Sequence, residues 1–115
     1  MYKYSAVVVK IVDGDTLDCI IDMGFKITTN QRIRLSKINT PETYRRKKDS
    51  DEYKAGMAAK NYVKDRLKAN KNKFIIETEK DPGVFGRYLG TIWLKDSEIS
   101  LNDELLEAGH ATLYK

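Results

Sequence analysis

The first third of the chain alternates between short stretches rich in β-branched residues and turn signals, and this pattern limits the possible folds more than any other feature. Stretches 4–12, 17–21 and 26–35 have the composition or the alternation of β-strands. They are separated by turns at 13–15 and 22–25, where glycine and aspartate favour tight backbone conformations. The sequence therefore predicts a three-stranded meander.

Apolar and charged residues alternate in the last part of the third predicted strand. Ile33 and Leu35 fall on one face, and Arg32 and Arg34 fall on the other. Because successive side chains of a strand point to opposite faces, we expect the two aliphatic residues to face the core and the two arginines to face away from it.

A helix is predicted after a polar loop over residues 36–49. Ser50 is a suitable N-cap, and Asp51 and Glu52 stand where the helix dipole favours negative charge. Asn70-Lys71-Asn72 is expected to end the helix. One face carries the apolar residues at helical spacing, which are Tyr53, Met57, Val63 and Leu67.

Two further strands and a second helix are predicted in the remainder. The fourth strand begins at Phe74, and the fifth covers residues 88–94. Ser100 and Asp103 are spaced like a variant capping box, and Gly109 stands where a helix-ending glycine is expected. The buried side of this helix is predicted to comprise Leu101, Leu105 and Ala108.

The element order β-β-β-α-β-β-α predicts a mainly β, α+β chain. We expect a small, curved antiparallel sheet closed as a five-stranded Greek-key barrel of the OB-fold type, with two short helices. The chain has 115 residues, no internal repeat and no interdomain linker, so residues 1–115 are expected to form a single domain.

The composition excludes several kinds of site. Cys19 is the only cysteine and His110 the only histidine, so a disulfide within the chain, a Cys/His zinc cluster and a Ser-His-Asp triad can all be set aside. We expect His110 to be a surface or packing residue. Any catalysis must rest on carboxylates, arginines, lysines, hydroxyls or a hard metal ion.

The charge of the chain is compatible with a polyanionic partner, and its hydropathy does not indicate a membrane span. The formal net charge is +4, a mild basic excess. No apolar run approaches the roughly 20 residues that span a bilayer, and the N-terminus does not have the pattern of a signal peptide. We therefore expect a cytoplasmic monomer that does not bind membranes, unless a signal has been trimmed from the chain.

Three segments combine residues suited to phosphodiester hydrolysis, and each lies at a strand end or in a turn. They are 13–16 (Asp-Gly-Asp-Thr), Arg34 with 39–42 (Asn-Thr-Pro-Glu), and 86–87 (Gly-Arg). The reaction needs a group that activates water, which a carboxylate can be. It also needs positive charge on the phosphate, which an arginine fork supplies. A hard cation would polarise the phosphoryl oxygen.

Calcium binding does not require histidine, because this ion takes oxygen ligands in loose geometry. Asp15, Asn39 and the carbonyl of Thr40 could supply such ligands. For the nucleic acid itself, we single out Phe85 and Tyr88 as stacking candidates and Arg45 and Arg46 as phosphate contacts.

Each segment also has a simpler interpretation when taken alone. Asp-Gly-Asp is most often a hairpin turn, and Thr-Pro-Glu is most often a loop that leads into a helix with Glu42 solvated. Arg34 on the polar face of a strand is usually solvated or ion-paired. Only the three segments together favour a reaction site.

The segments resemble, in order and spacing, those of the staphylococcal nuclease (thermonuclease) family. The matching stretches are VDGDT at 12–16, RIRLSKINTPET at 32–43, FGRYLGTIW at 85–93 and LNDELLEAGHA at 101–111. The likeness covers nearly the whole chain, and it is similar to the compact forms carried by phages and bacteria.

The resemblance implies an OB-fold nuclease that uses Ca²⁺ to cleave DNA and RNA, preferring single-stranded or frayed substrate and leaving 3′-phosphates. It implies Asp15, Asn39 and Thr40 at the metal, with Asp13 nearby. It further implies Glu42 as the general base and Arg34 and Arg87 as the clamp on the scissile phosphate.

Two departures keep a second hypothesis open. The family's type member has aspartate where this chain has Asn39, so calcium binding should be weaker. Its phosphate-gripping Lys-Tyr pair is Val84-Phe85 here. The alternative is therefore a noncatalytic OB-fold module that binds nucleic acid or protein.

Overall fold

The computed structural model describes residues 2–43, 47–80 and 87–114. Its strands are β1 (Tyr2–Asp13), β2 (Thr16–Gly24), β3 (Ile27–Leu35), β4 (Ile38–Asn39), β5 (Lys73–Lys80), β6 (Tyr88–Trp93) and β7 (Thr112–Leu113). Its helices are α1 (Asp51–Ala69) and α2 (Leu101–Glu107). The predicted meander, both helices and the two later strands are present, and the short pair β4 and β7 was not predicted.

The five long strands close into a barrel in the order β1-β2-β3-β6-β5. This confirms the predicted five-stranded barrel with two helices. The prediction of an antiparallel sheet was wrong at one seam, because β3 and β6 are parallel and pair Ile33 with Tyr88 and Leu35 with Gly90. Alternation of apolar residues could not show this, since both kinds of pairing put alternate side chains on one face.

The barrel interior contains the alternating residues that the sequence singled out. Leu17, Cys19 and Ile21 of β2 are almost fully buried, as are Ile33 and Leu35 of β3. They pack in one core with residues of the other strands and of both helices. Arg32 and Arg34 face away from this core, as predicted, so the polar face of β3 is available to a site.

Helix α1 begins as predicted, with Ser50 as N-cap accepting a hydrogen bond from the Tyr53 amide at 3.1 Å. Its buried face differs in part from the prediction. Val63 and Leu67 are buried, but Tyr53 and Met57 are only partly buried. Gly56 and Ala59 are the buried residues of the first half instead, so the helix presents small residues to the turn and loop of the candidate site.

Helix α2 is N-capped by Ser100, whose hydroxyl accepts a hydrogen bond from the Asp103 amide at 3.1 Å. Leu101 and Leu105 are buried as predicted. The prediction for Ala108 was wrong: it is the C-cap and is exposed, because the helix ends at Glu107 and the chain turns through Gly109 at a φ of 79°.

Asn102 of α2 is also buried, which the helical spacing of the apolar residues had not indicated. Its amide nitrogen donates to the carbonyls of Ser36 at 3.1 Å and Gly90 at 3.0 Å, and its side-chain oxygen accepts from the Ile92 amide at 3.1 Å. These bonds tie α2 to the end of β3 and to β6. They hold the segment that follows β3, which carries part of the candidate site.

Candidate active site

The turn between β1 and β2 carries Asp15 into a nearly buried position, with 8% of the residue exposed. Its Oδ1 accepts a hydrogen bond from the Thr16 hydroxyl at 3.0 Å, and its Oδ2 accepts one from the Thr40 amide at 3.1 Å. The carboxylate is therefore fixed between its own turn and the loop after β4. Gly14 permits this approach, because a β-carbon there would lie 2.8 Å from that of Ala59.

Arg34 joins the end of β3 to the segment that follows it. Its Nη1 donates to the carbonyls of Leu35 at 3.2 Å and Ile38 at 2.9 Å, and its Nη2 donates to Asn39 Oδ1 at 3.0 Å. Nη2 also lies 3.5 Å from Asp15 Oδ2 in an ion pair whose two side chains are mostly buried. One nitrogen of Arg34 thus lies within 3.5 Å of both side-chain oxygens that the sequence assigned to a metal.

The face of the Arg34 guanidinium is covered by an aromatic ring. Tyr114 places its ring centroid 4.8 Å from Cζ of Arg34, and the Tyr114 amide donates to the carbonyl of Lys37 at 2.9 Å. A cation over an aromatic face is attracted to it and held in orientation. The C-terminal segment therefore helps to position Arg34, which sequence reasoning did not anticipate.

The loop over 40–43 is held from two sides. Thr43 donates from its hydroxyl to Asp13 Oδ1 at 2.8 Å, which ties the loop to the end of β1. Gly56 of α1 lies so close that a β-carbon would be 2.7 Å from the carbonyl oxygen of Pro41 and 3.2 Å from that of Glu42. Glu42 itself is exposed, on a loop whose backbone is supported by β1 and α1.

A cleft of about 430 Å³ opens beside this loop. Asn39, Thr40 and Glu42 line one part of it, and Glu52 of α1 and His110 line another. The ring of His110 also packs against Tyr62, with 5.0 Å between ring centroids, as expected of a packing residue. The cleft thus brings together three of the predicted site residues. Glu52 was not among the predictions, because its only sequence signal is its place in the first helical turn.

The second predicted arginine lies just before β6, the strand that pairs with β3. Arg87 immediately precedes β6 and is partly buried, and Tyr88 begins that strand opposite Ile33. The predicted substrate contacts Phe85, Arg45 and Arg46 lie outside the described residues.

The candidate ligands of the site are oxygen atoms that suit a hard cation, and only one of them is charged. Asp15 offers a carboxylate, Asn39 an amide oxygen and Thr40 a carbonyl, and such oxygens are calcium ligands. Thr40 Oγ1 is buried without a hydrogen-bond partner in the part of the chain that the structure describes, so one further oxygen there is unsatisfied. No group of three or more His, Cys, Asp or Glu side chains arranged for a metal occurs among those residues. A calcium ion would therefore depend on amide, carbonyl and water oxygens beside Asp15.

The sequence was compared with models of known protein families. The model of the staphylococcal nuclease homologue family matches residues 32–115, which is more than half of the chain. The chain belongs to the staphylococcal nuclease homologue family. The match includes Arg34, Glu42 and Arg87, whereas Asp13 and Asp15 precede it and are connected to the site by their hydrogen bonds to Thr43 and Thr40.

A search of curated proteins found no match. None of the described helices has the length and apolar character needed to cross a membrane.

Proposed function

We propose that this protein is a calcium-dependent nuclease that hydrolyses phosphodiester bonds of DNA and RNA. The observation that carries the proposal is the contact of Arg34 with both Asp15 and Asn39, at 3.5 and 3.0 Å, beside a cleft lined by Glu42. A fixed cation, an acid-bearing loop and hard oxygen ligands are the groups that phosphodiester hydrolysis uses. Membership of the nuclease homologue family supports the same conclusion.

In this proposal Glu42 is the general base. Its exposed position on the cleft wall allows water to reach it. The close approach of Gly56 to the loop backbone and the hydrogen bond from the Thr43 hydroxyl to Asp13 hold the loop that aims it. A carboxylate in this position accepts the proton of the attacking water while that water attacks phosphorus. Loop rigidity matters, because the water must be held in line with the bond that breaks.

Arg34 and Arg87 act on the phosphate. Three of the five N–H donors of Arg34 are occupied by acceptors within the chain, which fixes the plane of the guanidinium before substrate arrives. A preorganised donor stabilises the negative charge that develops on the phosphoryl oxygens without reorganisation cost. Arg87, which precedes the neighbouring strand, is the second cation of this clamp.

Asp15, Asn39 and the carbonyl of Thr40 would hold calcium, with Asp13 steadying the loop through Thr43. When bound, calcium supplies Lewis acidity to the phosphoryl oxygen. The oxygens of Asp15 and Asn39 interact with Arg34, so the charge of that arginine lowers the electron density that they offer to a cation. We therefore propose that calcium is bound weakly and together with the substrate phosphate. The proposed substrate is single-stranded or frayed, and the proposed products carry 3′-phosphates. We also propose that the chain is a monomer and that residues 1–115 form one domain.

A noncatalytic nucleic-acid-binding module is the second candidate. It is favoured by the contacts of Arg34 within the chain. Its N–H groups donate hydrogen bonds to Leu35, Ile38 and Asn39, and Tyr114 covers the face of its guanidinium. An arginine so engaged also serves a structural role. In that case DNA would bind equally well with and without calcium.

Digestion of single-stranded DNA, with calcium and with chelator, decides between the two. We expect cleavage that requires calcium, 3′-phosphate ends on the products, and a loss of about 100-fold or more in rate on Glu42→Gln. Exposed Glu98, which lies in the segment before α2, provides the matched control Glu98→Gln, which should cleave at the wild-type rate. Folded protein that shows no cleavage at millimolar calcium would leave only the binding module.

A further inference from the structure

We propose that a lysine-rimmed groove near the tip of the β2–β3 hairpin binds a single strand of nucleic acid apart from the candidate active site. The groove has a volume of about 1030 Å³ and runs over the outer surface of the barrel beside the end of α1. The proposal rests on the proposed function, since it gives a second contact to the same class of substrate.

An apolar floor crosses three strands of the barrel. Val7 of β1 and Ile20 of β2 are directly paired, and Ile75 of β5 pairs with Ser5 of β1 two residues away from Val7. Between 38% and 41% of each of these three aliphatic residues is exposed. Trp93 pairs with Ile75 and extends the lining onto β6. These side chains form an apolar surface on the outside of the barrel, and the core residues Ala6, Phe74 and Leu94 also line the groove.

The rim of the groove is strongly positive. Four exposed lysines line it: Lys26, Lys71, Lys73 and Lys95. Asp22 is the single carboxylate among the lining residues, and its Oδ1 is engaged by the Gly24 amide at 2.8 Å. Within the described chain, none of the four lysines forms an ion pair. The rim keeps a net positive charge, because its four lysines outnumber the one carboxylate, and a positive rim around an apolar floor is complementary to a polyanion with apolar faces.

An exposed aromatic residue favours a nucleic-acid strand over an acidic polypeptide. Phe25, next to Lys26 at the hairpin tip, is 98% exposed and has a φ of 56°, a left-handed conformation that is unusual for a bulky residue. Phe25 is not itself a lining residue, but it adjoins Lys26, which is, so its exposed ring can stack on a base of a strand whose phosphates contact the lysines of the rim. The rim and the ring together thus match the two chemical features of a single strand.

The groove is separate from the candidate site. Thr16 pairs with Arg34 at the site end of the β2–β3 ladder, whereas Asp22 pairs with Thr28 near the tip. These two levels are six residues apart along β2, or about 20 Å at the usual rise per residue. A strand held in the groove would therefore be anchored at a distance from the bond that is cut.

Binding of a fluorescent 12-nucleotide oligothymidine, measured by anisotropy in chelator with Glu42→Gln protein, tests the groove without cleavage. Replacing Lys73 and Lys95 by glutamine should lower the slope of log affinity against log salt by about 1.4, since each phosphate contact on a single strand contributes about 0.7. Phe25→Gly should weaken binding about fivefold or more, by loss of stacking. That substitution suits the left-handed backbone, so folding should not suffer.

The control replaces Lys54 and Lys64, exposed on α1 and outside the groove, by glutamine. It removes the same charge and should change the salt slope by less than half as much. Equal effects of the two lysine pairs, or an unchanged affinity of Phe25→Gly, would overturn the proposal. So would binding of vesicles containing anionic phospholipid in place of the oligonucleotide, which would assign the tip to a lipid surface. Because the assay is independent of cleavage, loss of the nuclease proposal would leave its result interpretable.

Discussion

A β-carbon on Gly56 would lie 2.7 Å from the carbonyl oxygen of Pro41, so the backbone of α1 lies directly against the loop that carries Glu42. No β-carbon is tolerated at such a distance without movement of the loop or the helix. A glycine in the middle of the first half of a helix is otherwise unfavourable by about 1 kcal/mol relative to alanine. The close approach to the loop offers a physical reason for its presence.

We expect Gly56→Ala to separate stability from activity. The gain in helix propensity of about 1 kcal/mol should offset much of the steric strain, so the free energy of unfolding should change little. The displaced loop should lower kcat about 10- to 100-fold, because misplacement of a catalytic group by less than an ångström is costly. Chemical denaturation and steady-state cleavage measure the two effects.

Gly24→Ala is the matched control for that prediction. A β-carbon there meets nothing within 4 Å, but the φ of 84° strains any residue with a side chain. Stability should therefore fall by roughly 1–2 kcal/mol while kcat is unchanged. If Gly56→Ala cleaves at the wild-type rate, the loop is not positioned by this contact.

Arg34 and Arg32, two residues apart on β3, provide an internal comparison of a site arginine with a surface one. Arg34→Ala should reduce kcat/KM about 100- to 1000-fold, equivalent to roughly 3–4 kcal/mol for one preorganised charge-stabilising donor. Arg32 instead forms an exposed ion pair with Asp18, with 2.7 Å between Nε and Oδ1, and Arg32→Ala should leave kcat/KM within about threefold. Activity of Arg34→Ala within threefold of wild type would contradict the proposed clamp.

The elements of the fold could be predicted because local signals and burial agree. Ser50 and Ser100 each cap a helix where the sequence placed them, and Ile33 and Leu35 are buried as their alternation required. The direction of β6 beside β3 could not be predicted, since closure of the barrel depends on long-range packing that no local pattern encodes. Ala108 fitted the helical period, but the helix had already ended before it.

The residue types of the candidate site could be predicted from the sequence, but the contacts that hold Arg34 and the Glu42 loop in place could not. Arg34 and Asn39 lie at the ends of β3 and β4 and Asp15 lies in the turn after β1, which is a recognisable pattern, and the three side chains do lie together. The supports of Arg34 by Tyr114 and of the loop by Gly56 join residues distant in sequence. Neither a lone C-terminal tyrosine nor a helical glycine carries a local signal of such a contact.

Asn39→Asp should strengthen calcium binding, because it adds an anionic ligand to the proposed set, which otherwise contains one carboxylate, from Asp15. We expect the calcium dissociation constant, measured by titration calorimetry, to fall about tenfold or more. Asn30→Asp adds the same charge at an exposed position on β3 and serves as the control. Equal calcium affinity of the two variants would show that residue 39 is not a ligand.

Stability should fall in acid through the ion pairs of Arg66. Its guanidinium hydrogen-bonds Asp96 at 2.7 Å and lowers the pKa of that carboxyl below its ordinary value of 3.8. A lowered pKa in the folded state contributes stability above the unfolded value that is lost as the pH falls through the folded one. Asp96→Asn should thus be less stable than wild type at pH 7, with the difference shrinking as the pH falls below the ordinary carboxyl pKa of 3.8, as urea denaturation would show.

Exposed Asp65 of α1 supplies the control Asp65→Asn, for which we expect a much smaller change in that pH profile. A constant difference between Asp96→Asn and wild type from pH 7 to pH 2 would mean that the ion pair is not the source of the acid sensitivity.

Cys19 should be unreactive until the barrel opens, because it is 1% exposed and burial raises the pKa of its thiol from 9.0 to about 12. The thiolate is the reactive form, so an aromatic disulfide reagent at pH 8 should label the folded protein only at the rate of its opening.

The raised pKa of Cys19 also makes the free energy of unfolding depend on pH. Its contribution is complete below pH 9 and is lost as the pH rises through about 12, since only the unfolded chain releases the proton readily. Cys19→Val keeps an apolar side chain in the core and should therefore lose less stability than wild type between pH 9 and 11. Titration of tyrosines and lysines cannot produce this difference, because both proteins contain the same tyrosines and lysines. Rapid labelling of folded protein at pH 8, at a rate independent of denaturant, would show that Cys19 is accessible without opening of the barrel.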